Sequence, residues 1–140
     1  MQPRIVIADD DLTIISLVSL RLGLARFDVL SAETGADALK LIAKSEPSAV
    51  ILDVKMPGGG LETLDRIKAN PVTQNLPVMM LSGERDTATV MSAMGAGAAD
   101  YMVKPFNPDR LLERVNRLVA SSAMVWPRGA AAPAAPVWEL

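Results

Sequence analysis

At 140 residues, half of them hydrophobic and about a fifth charged, the chain is long enough for one domain with a sizeable core and too apolar to be disordered. Its net charge of −2, with Lys and Arg scattered along the chain, argues against direct nucleic-acid binding. Neither Cys nor His is present, which excludes disulfides, Cys/His zinc sites, triads with a His base and phosphohistidine on this chain, and leaves hard cations held by oxygen as the only metal partners.

The N-terminal Met-Gln-Pro-Arg leads into a short apolar run, Ile5-Val6-Ile7-Ala8, too short for a signal peptide. No run reaches transmembrane length, so the cytoplasm is the expected address and no membrane partner is expected. Asp9-Asp10-Asp11 follow, and the pattern then turns helical over residues 12–25, with Asp10 or Asp11 placed to cap the first turn. On that helix Leu17, Leu20 and Leu24 stack with Thr13, while Ile14, Val18 and Leu22 form an adjacent stripe; only one of the two can face a sheet fully. Residues 27–31 read as a second strand and 36–44 as an amphipathic helix that stops at Ser45-Glu46-Pro47. The run Ala49-Val50-Ile51-Leu52 ends at Asp53. Met56-Pro57-Gly58-Gly59-Gly60 makes a loop, 61–69 a helix, and Asn70-Pro71 breaks it. Pro77 opens the run Val78-Met79-Met80-Leu81, which ends at Ser82; Asp86 caps a helix reaching about Met94; Tyr101-Met102-Val103 ends at Lys104; and Asn107-Pro108 starts a last helix to about Ala120. Strand and helix alternate five times, which predicts a doubly wound α/β fold with five parallel strands, five helices and right-handed crossovers over residues 1–120. Residues 121–140 shift to Ala and Pro and read as a tail or linker, mostly disordered unless Trp126 or Trp138 anchors it.

Four of the apolar runs therefore end in polar groups of different kinds, and in a parallel sheet all four groups share the carboxyl edge, where open α/β folds bind ligands. Three carboxylates brought that close repel and raise one another's pKa unless a cation sits between them, and Mg²⁺ suits an all-oxygen set that keeps exchangeable waters. Lys104 can neutralise a further phosphoryl oxygen and Ser82 can donate to another, which makes the set one carboxylate nucleophile surrounded by groups that stabilise transferred charge. Taken singly each residue has a plainer reading, Asp11 as a helix cap, Ser82 as a turn hydroxyl and Lys104 as a solvated loop lysine; it is their joint occurrence at four strand ends that is specific.

The segments I-V-I-A-D-D-D, I-L-D-V-K-M-P, V-M-M-L-S-G and A-D-Y-M-V-K-P-F, with their spacing, resemble the response-regulator receiver domain of two-component signalling over about residues 4–120. The resemblance implies the CheY-like, flavodoxin-like strand order 2-1-3-4-5 and Asp53 as phosphoacceptor. It implies Mg²⁺ bound by the acid pair Asp9 and Asp10, by Asp53 and by the backbone carbonyl of Lys55. It further implies Ser82 and Tyr101 as switch residues and Lys104 as the phosphate-binding lysine. The partners it implies are a sensor histidine kinase or histidine phosphotransfer protein as donor, met on the first helix, and a downstream protein target or output domain that reads the fourth helix, fifth strand and fifth helix. Lys55 and Glu84, two residues beyond Asp53 and Ser82, have opposite charges that can pair across the mouth of the site. The loop after Met56-Pro57 is one residue shorter than the family's and glycine-rich. Two other readings use some of the same residues: a degenerate receiver that only mediates protein contacts, against which Asp10, Asp53 and Lys104 are all present, and an aspartyl phosphatase of haloacid-dehalogenase type, whose nucleophile comes first in the chain and acid pair last, the reverse of the order here.

Overall fold

A computed structural model describes residues 2–127 of the chain. The elements run β1 (Arg4–Ala8), α1 (Leu12–Leu24), β2 (Asp28–Ala32), α2 (Gly35–Ser45), β3 (Ala49–Leu52), α3 (Gly60–Ala69), β4 (Val78–Ser82), α4 (Thr87–Gly95), β5 (Asp100–Val103) and α5 (Pro108–Ala120). The strands form one parallel sheet in the order β2-β1-β3-β4-β5, as expected.

Side chains alternate across the sheet and feed two cores. Val6, Ala8, Val50, Leu52, Val78 and Met80 meet Ala38, Leu39 and Ile42 of α2, Leu64 and Ile67 of α3 and Ala93 of α4. Ile5, Ile7, Ala49, Ile51, Met79 and Leu81 meet Val18 and Leu22 of α1 and Leu111, Val115 and Leu118 of α5. Both faces of the sheet are covered, which is why β3 and β4 are buried at every position and read as continuous apolar runs.

Local signals set the helix starts. Asp11 caps α1 by accepting from the Thr13 N–H, Thr34 caps α2, Asp86 caps α4 and Asn107 caps α5 with Pro108 in the first turn. Of the two α1 stripes, Val18 and Leu22 are fully buried, each contributing roughly 1.5–3 kcal/mol. Leu17, Leu20 and Leu24 are exposed by 38%, 63% and 72%, so Leu17 alone leans toward the domain. The second strand starts one residue later than the pattern suggests: the Asp28 N–H pairs with the Pro3 carbonyl, while Phe27 is buried in the α1 and α5 core.

At the amino edge of the sheet the structure takes the anchored of the two readings for Trp126. Residues 121–127 do not hang free: Met124 and Trp126 pack against the core under α2 and α3. Trp138 lies outside the described residues. Among the described residues no helix is long and apolar enough to cross a membrane.

Candidate functional site

Asp9, Asp53 and Lys104 are each held at the carboxyl edge by one further rung of the sheet ladder, and Ser82 is the last residue of β4 itself. The Asp9 N–H donates to Ala32 O at 3.1 Å, the Asp53 N–H to Ala8 O at 2.9 Å and the Lys104 N–H to Ser82 O at 2.8 Å. These three residues thus leave the sheet with their backbones fixed by the neighbouring strand, and the order β1-β3-β4-β5 sets them and Ser82 side by side.

Lys104 Nζ donates to Asp9 Oδ2 at 2.7 Å and to Asp53 Oδ2 at 3.3 Å. Asp9 also accepts from the Asp11 N–H through Oδ1 at 2.9 Å, and Asp53 from the Lys55 N–H through Oδ1 at 3.4 Å. Carboxylate oxygens of Asp9, Asp10 and Asp53 all lie within 4.8 Å of one another, Asp9 and Asp53 buried and Asp10 exposed. The triple acid run therefore divides its labour: Asp11 caps α1 while Asp9 and Asp10 join Asp53. Burial and the Asp9 charge push the Asp53 carboxyl above the usual carboxylate range, although Lys104 and the Lys55 N–H oppose them. Burial disfavours the Lys104 cation, but the Asp9 hydrogen bond and the two carboxylate charges outweigh it and raise its pKa. One lysine thus faces three carboxylates, an excess of negative charge in an all-oxygen cluster of hard donors, which fits a small divalent cation such as Mg²⁺.

Ser82 and Tyr101 both bond the main chain of Glu84, on either side of its Cα. The Ser82 Oγ accepts from the Glu84 N–H at 3.2 Å, and the Tyr101 hydroxyl donates to the Glu84 carbonyl. Tyr101 is half-buried against the α4-side core, and that burial holds its hydroxyl above its ordinary pKa. Across the mouth, Lys55 Nζ and Glu84 Oε1 are 2.9 Å apart.

The glycine run closes the side nearest Asp53. Gly58 and Gly59 have φ of 89° and 75°, a region other residues rarely enter. The Gly59 N–H donates to Met56 O at 2.8 Å, the Gly60 N–H to Val54 O at 2.9 Å and the Gly35 N–H to Pro57 O at 2.9 Å. A Cβ on Gly60 would lie 1.8 Å from the Asp53 carbonyl oxygen, so α3 starts in backbone contact with the residue that carries the site. The shortened loop is therefore tied down at three points. Sequence reasoning did not single out Gly60 or the Glu84 main chain. The glycine run before a helix is the only signal for the first, and a main-chain acceptor leaves none for the second.

A family model described as the response regulator receiver domain matches residues 5–116. RpaA of Synechocystis, named a DNA-binding dual master transcriptional regulator, is 34% identical over 118 residues, 84% of this chain and 49% of its own length. The transcriptional regulatory protein PrrA of Mycobacterium tuberculosis is 33% identical over 118 residues, 84% of this chain and 50% of its own. The chain spans about half the length of these curated relatives. Among solved structures, the chemotaxis response regulator CheY4 of Vibrio cholerae superposes with a TM-score of 0.79 at 29% identity, covering 84% of this chain and 99% of the other. A CheY-like receiver domain protein from Methanospirillum hungatei gives a TM-score of 0.80 at 26% identity, covering 86% and 95%.

Proposed function

The chain belongs to the response-regulator receiver family, a signalling rather than catalytic family whose members take histidine kinases as partners, and from that membership we propose that it accepts a phosphoryl group on Asp53 from a phosphohistidine donor and passes the change to a protein-binding face. The observation that carries this reading is the convergence of Lys104 Nζ on Asp9 and Asp53 within a cluster of three carboxylates at one sheet edge.

An Asp53 carboxylate oxygen attacks the donor's phosphorus in line. The new P–O bond forms as the P–N bond to the donor imidazole breaks, and the imidazole leaves with the electron pair. Asp9, Asp10, Asp53 and the Lys55 carbonyl are the residues that would hold Mg²⁺. When bound, that ion supplies positive charge against the carboxylates and the phosphoryl oxygens. Lys104 exchanges Asp53 Oδ2 for a phosphoryl oxygen and so keeps one ion pair throughout. Water later cleaves the acyl phosphate, which makes autodephosphorylation the only turnover on this chain.

Ser82 and Tyr101 form the switch, and the main chain of Glu84 couples them. Turning the Ser82 hydroxyl toward a phosphoryl oxygen releases the Glu84 N–H, while Tyr101 holds the carbonyl of the same residue, one peptide on; the β4–α4 loop then shifts with both. The face of α4, β5 and α5 carries that shift to a downstream protein or an output domain. The DNA binding named for RpaA belongs to a protein about twice as long as the matched portion, and no direct nucleic-acid contact is assigned to this chain. Its proposed address is the cytoplasm, where phosphohistidine donors form. The exposed leucines of α1 form the donor's docking surface.

Acetyl phosphate with Mg²⁺ should raise the intact mass by one phosphoryl group, and Asp53→Asn should gain none. Normal labelling of that variant, or labelling of the wild type in EDTA, would sink the assignment.

A further inference from the structure

Trp126 is fixed to the amino edge of the sheet, the end opposite Asp53. Beyond α5 the Ser121 and Ser122 N–H groups donate to Arg117 O and Val119 O, and the Met124 N–H donates to Ser122 Oγ at 3.0 Å, so the chain turns back on itself. α5 packs on the α1 side of the sheet, whereas Met124 and Trp126 pack against the core on the α2 and α3 side. Residues 121–127 therefore pass from one layer of the domain to the other around the sheet's amino edge.

There the Trp126 indole Nε1 donates to Pro47 O at 2.9 Å. Pro47 lies in the turn from α2 to β3, where Glu46 has a φ of 51° and the helix carbonyls run out of backbone donors. Arg4 Nη1 takes the neighbouring Ser45 carbonyl at 2.8 Å. Two side chains from opposite ends of the described chain thus take up the carbonyls of one turn. An indole that merely covers apolar surface has no need to aim its N–H; ring packing and a directed hydrogen bond together specify one seat. Val125 between the contacts is 82% exposed, so the segment is held at points and does not form a packed element.

We propose that residues 121–127 are a strap belonging to the domain, anchored by Trp126, which redirects the chain from the end of α5 to the α2 side of the amino edge. Anything that follows Pro127 then departs beside the α2–β3 turn, away from α1. A pendant tail would leave from Ala120, close to α1, because α1 and α5 pack together.

The chain has two tryptophans, so Trp138→Phe in the full-length protein isolates Trp126. Its emission should be blue-shifted from that of the same protein in urea, with a clear loss of acrylamide quenching. The absence of cysteine permits paired spin labels in the intact chain. The distance from Val125→Cys to Lys44→Cys should be shorter and more narrowly distributed than that from Val125→Cys to Leu24→Cys, and Trp126→Ala should broaden the Lys44 distribution. Emission and quenching matching the urea-unfolded state would overturn the proposal, as would a label at position 125 equally near to, or nearer, position 24. Should Trp126→Ala fail to fold, the fluorescence and the first two distances decide the matter on folded protein.

Discussion

Replacing Gly60 by Ala adds one methyl group where α3 begins, and there is no room for it. Its Cβ would sit 1.8 Å from the Asp53 carbonyl oxygen, 2.7 Å from the carbonyl carbon and 2.8 Å from Val54 Cα, whereas real Cβ contacts essentially never fall below 3.0 Å. All three obstacles are backbone, so no side chain can swing aside. Relief requires the start of α3 or the Asp53 peptide to move by about 1.2 Å, beyond ordinary overpacking, and the cost should reach or exceed the upper end of that range, about 3 kcal/mol. For a domain of this size that is a fall in Tm of roughly 10 °C. Gly23→Ala is the control: nothing lies within 4 Å of its Cβ, and in the last turn of α1 the same methyl should stabilise by about 0.5–1 kcal/mol. Thermal melts of both variants, followed by acetyl phosphate labelling of the folded Gly60→Ala protein, make the assay. Labelling should slow, because the displaced peptide carries the acceptor. If Gly60→Ala melted within a degree or two of wild type and labelled normally, the claim that α3 holds the Asp53 backbone in place would be refuted.

Lys104→Ala should leave three carboxylates without their cation, costing about 2–4 kcal/mol in metal-free buffer given that the pair is mostly buried, with Mg²⁺ binding retained and restoring part of the loss; loss of Mg²⁺ binding with the fold intact would contradict the role given to Lys104. Replacing Lys55 and Glu84 together by Ala should leave the Tm unchanged, since Lys55 is exposed, but shorten the lifetime of phospho-Asp53 by admitting water, and an unaltered lifetime would remove the gate from the account. Leu20→Glu should slow transfer from the cognate phosphohistidine protein and spare labelling by acetyl phosphate, which needs no docking surface; equal slowing with both donors would point to a damaged fold. The raised Asp53 pKa means that the metal-free native state holds this proton more tightly than the unfolded chain does. Its contribution to stability is thus present at low pH and lost as pH rises from the unfolded value near 3.8 through the native one. Because proton and cation compete for that carboxylate, Mg²⁺ affinity measured calorimetrically should fall as pH drops into the same window, and a flat profile would show that Asp53 is not a ligand.

The strands, the helices and the sheet-edge position of Asp9, Asp53, Ser82 and Lys104 were legible in the sequence because each follows from local chemistry. Buried parallel strands must be apolar throughout, helices announce themselves with caps such as Asp11 and Asp86, and the polar residue after an apolar run falls at the strand's carboxyl end. Strand order came only through family likeness, since pairing between distant runs leaves no local mark. Other features depend on where distant parts of the chain meet. Asp10 and Asp11 are equivalent by pattern; the family likeness pairs Asp10 with Asp9, and the geometry at the start of α1 sets Asp10 beside Asp9 and Asp53 while Asp11 caps the helix. The two stripes of α1 are both apolar, and packing against the sheet decides that Val18 and Leu22 go in while Leu20 and Leu24 stay out. Gly60 looks like loop until Asp53 is seen against it. Trp126 belongs to an Ala/Pro-rich stretch whose composition argues for disorder; its seat is built by Pro47, 79 residues earlier, and a contact over that separation exists only once the fold has brought the two edges together.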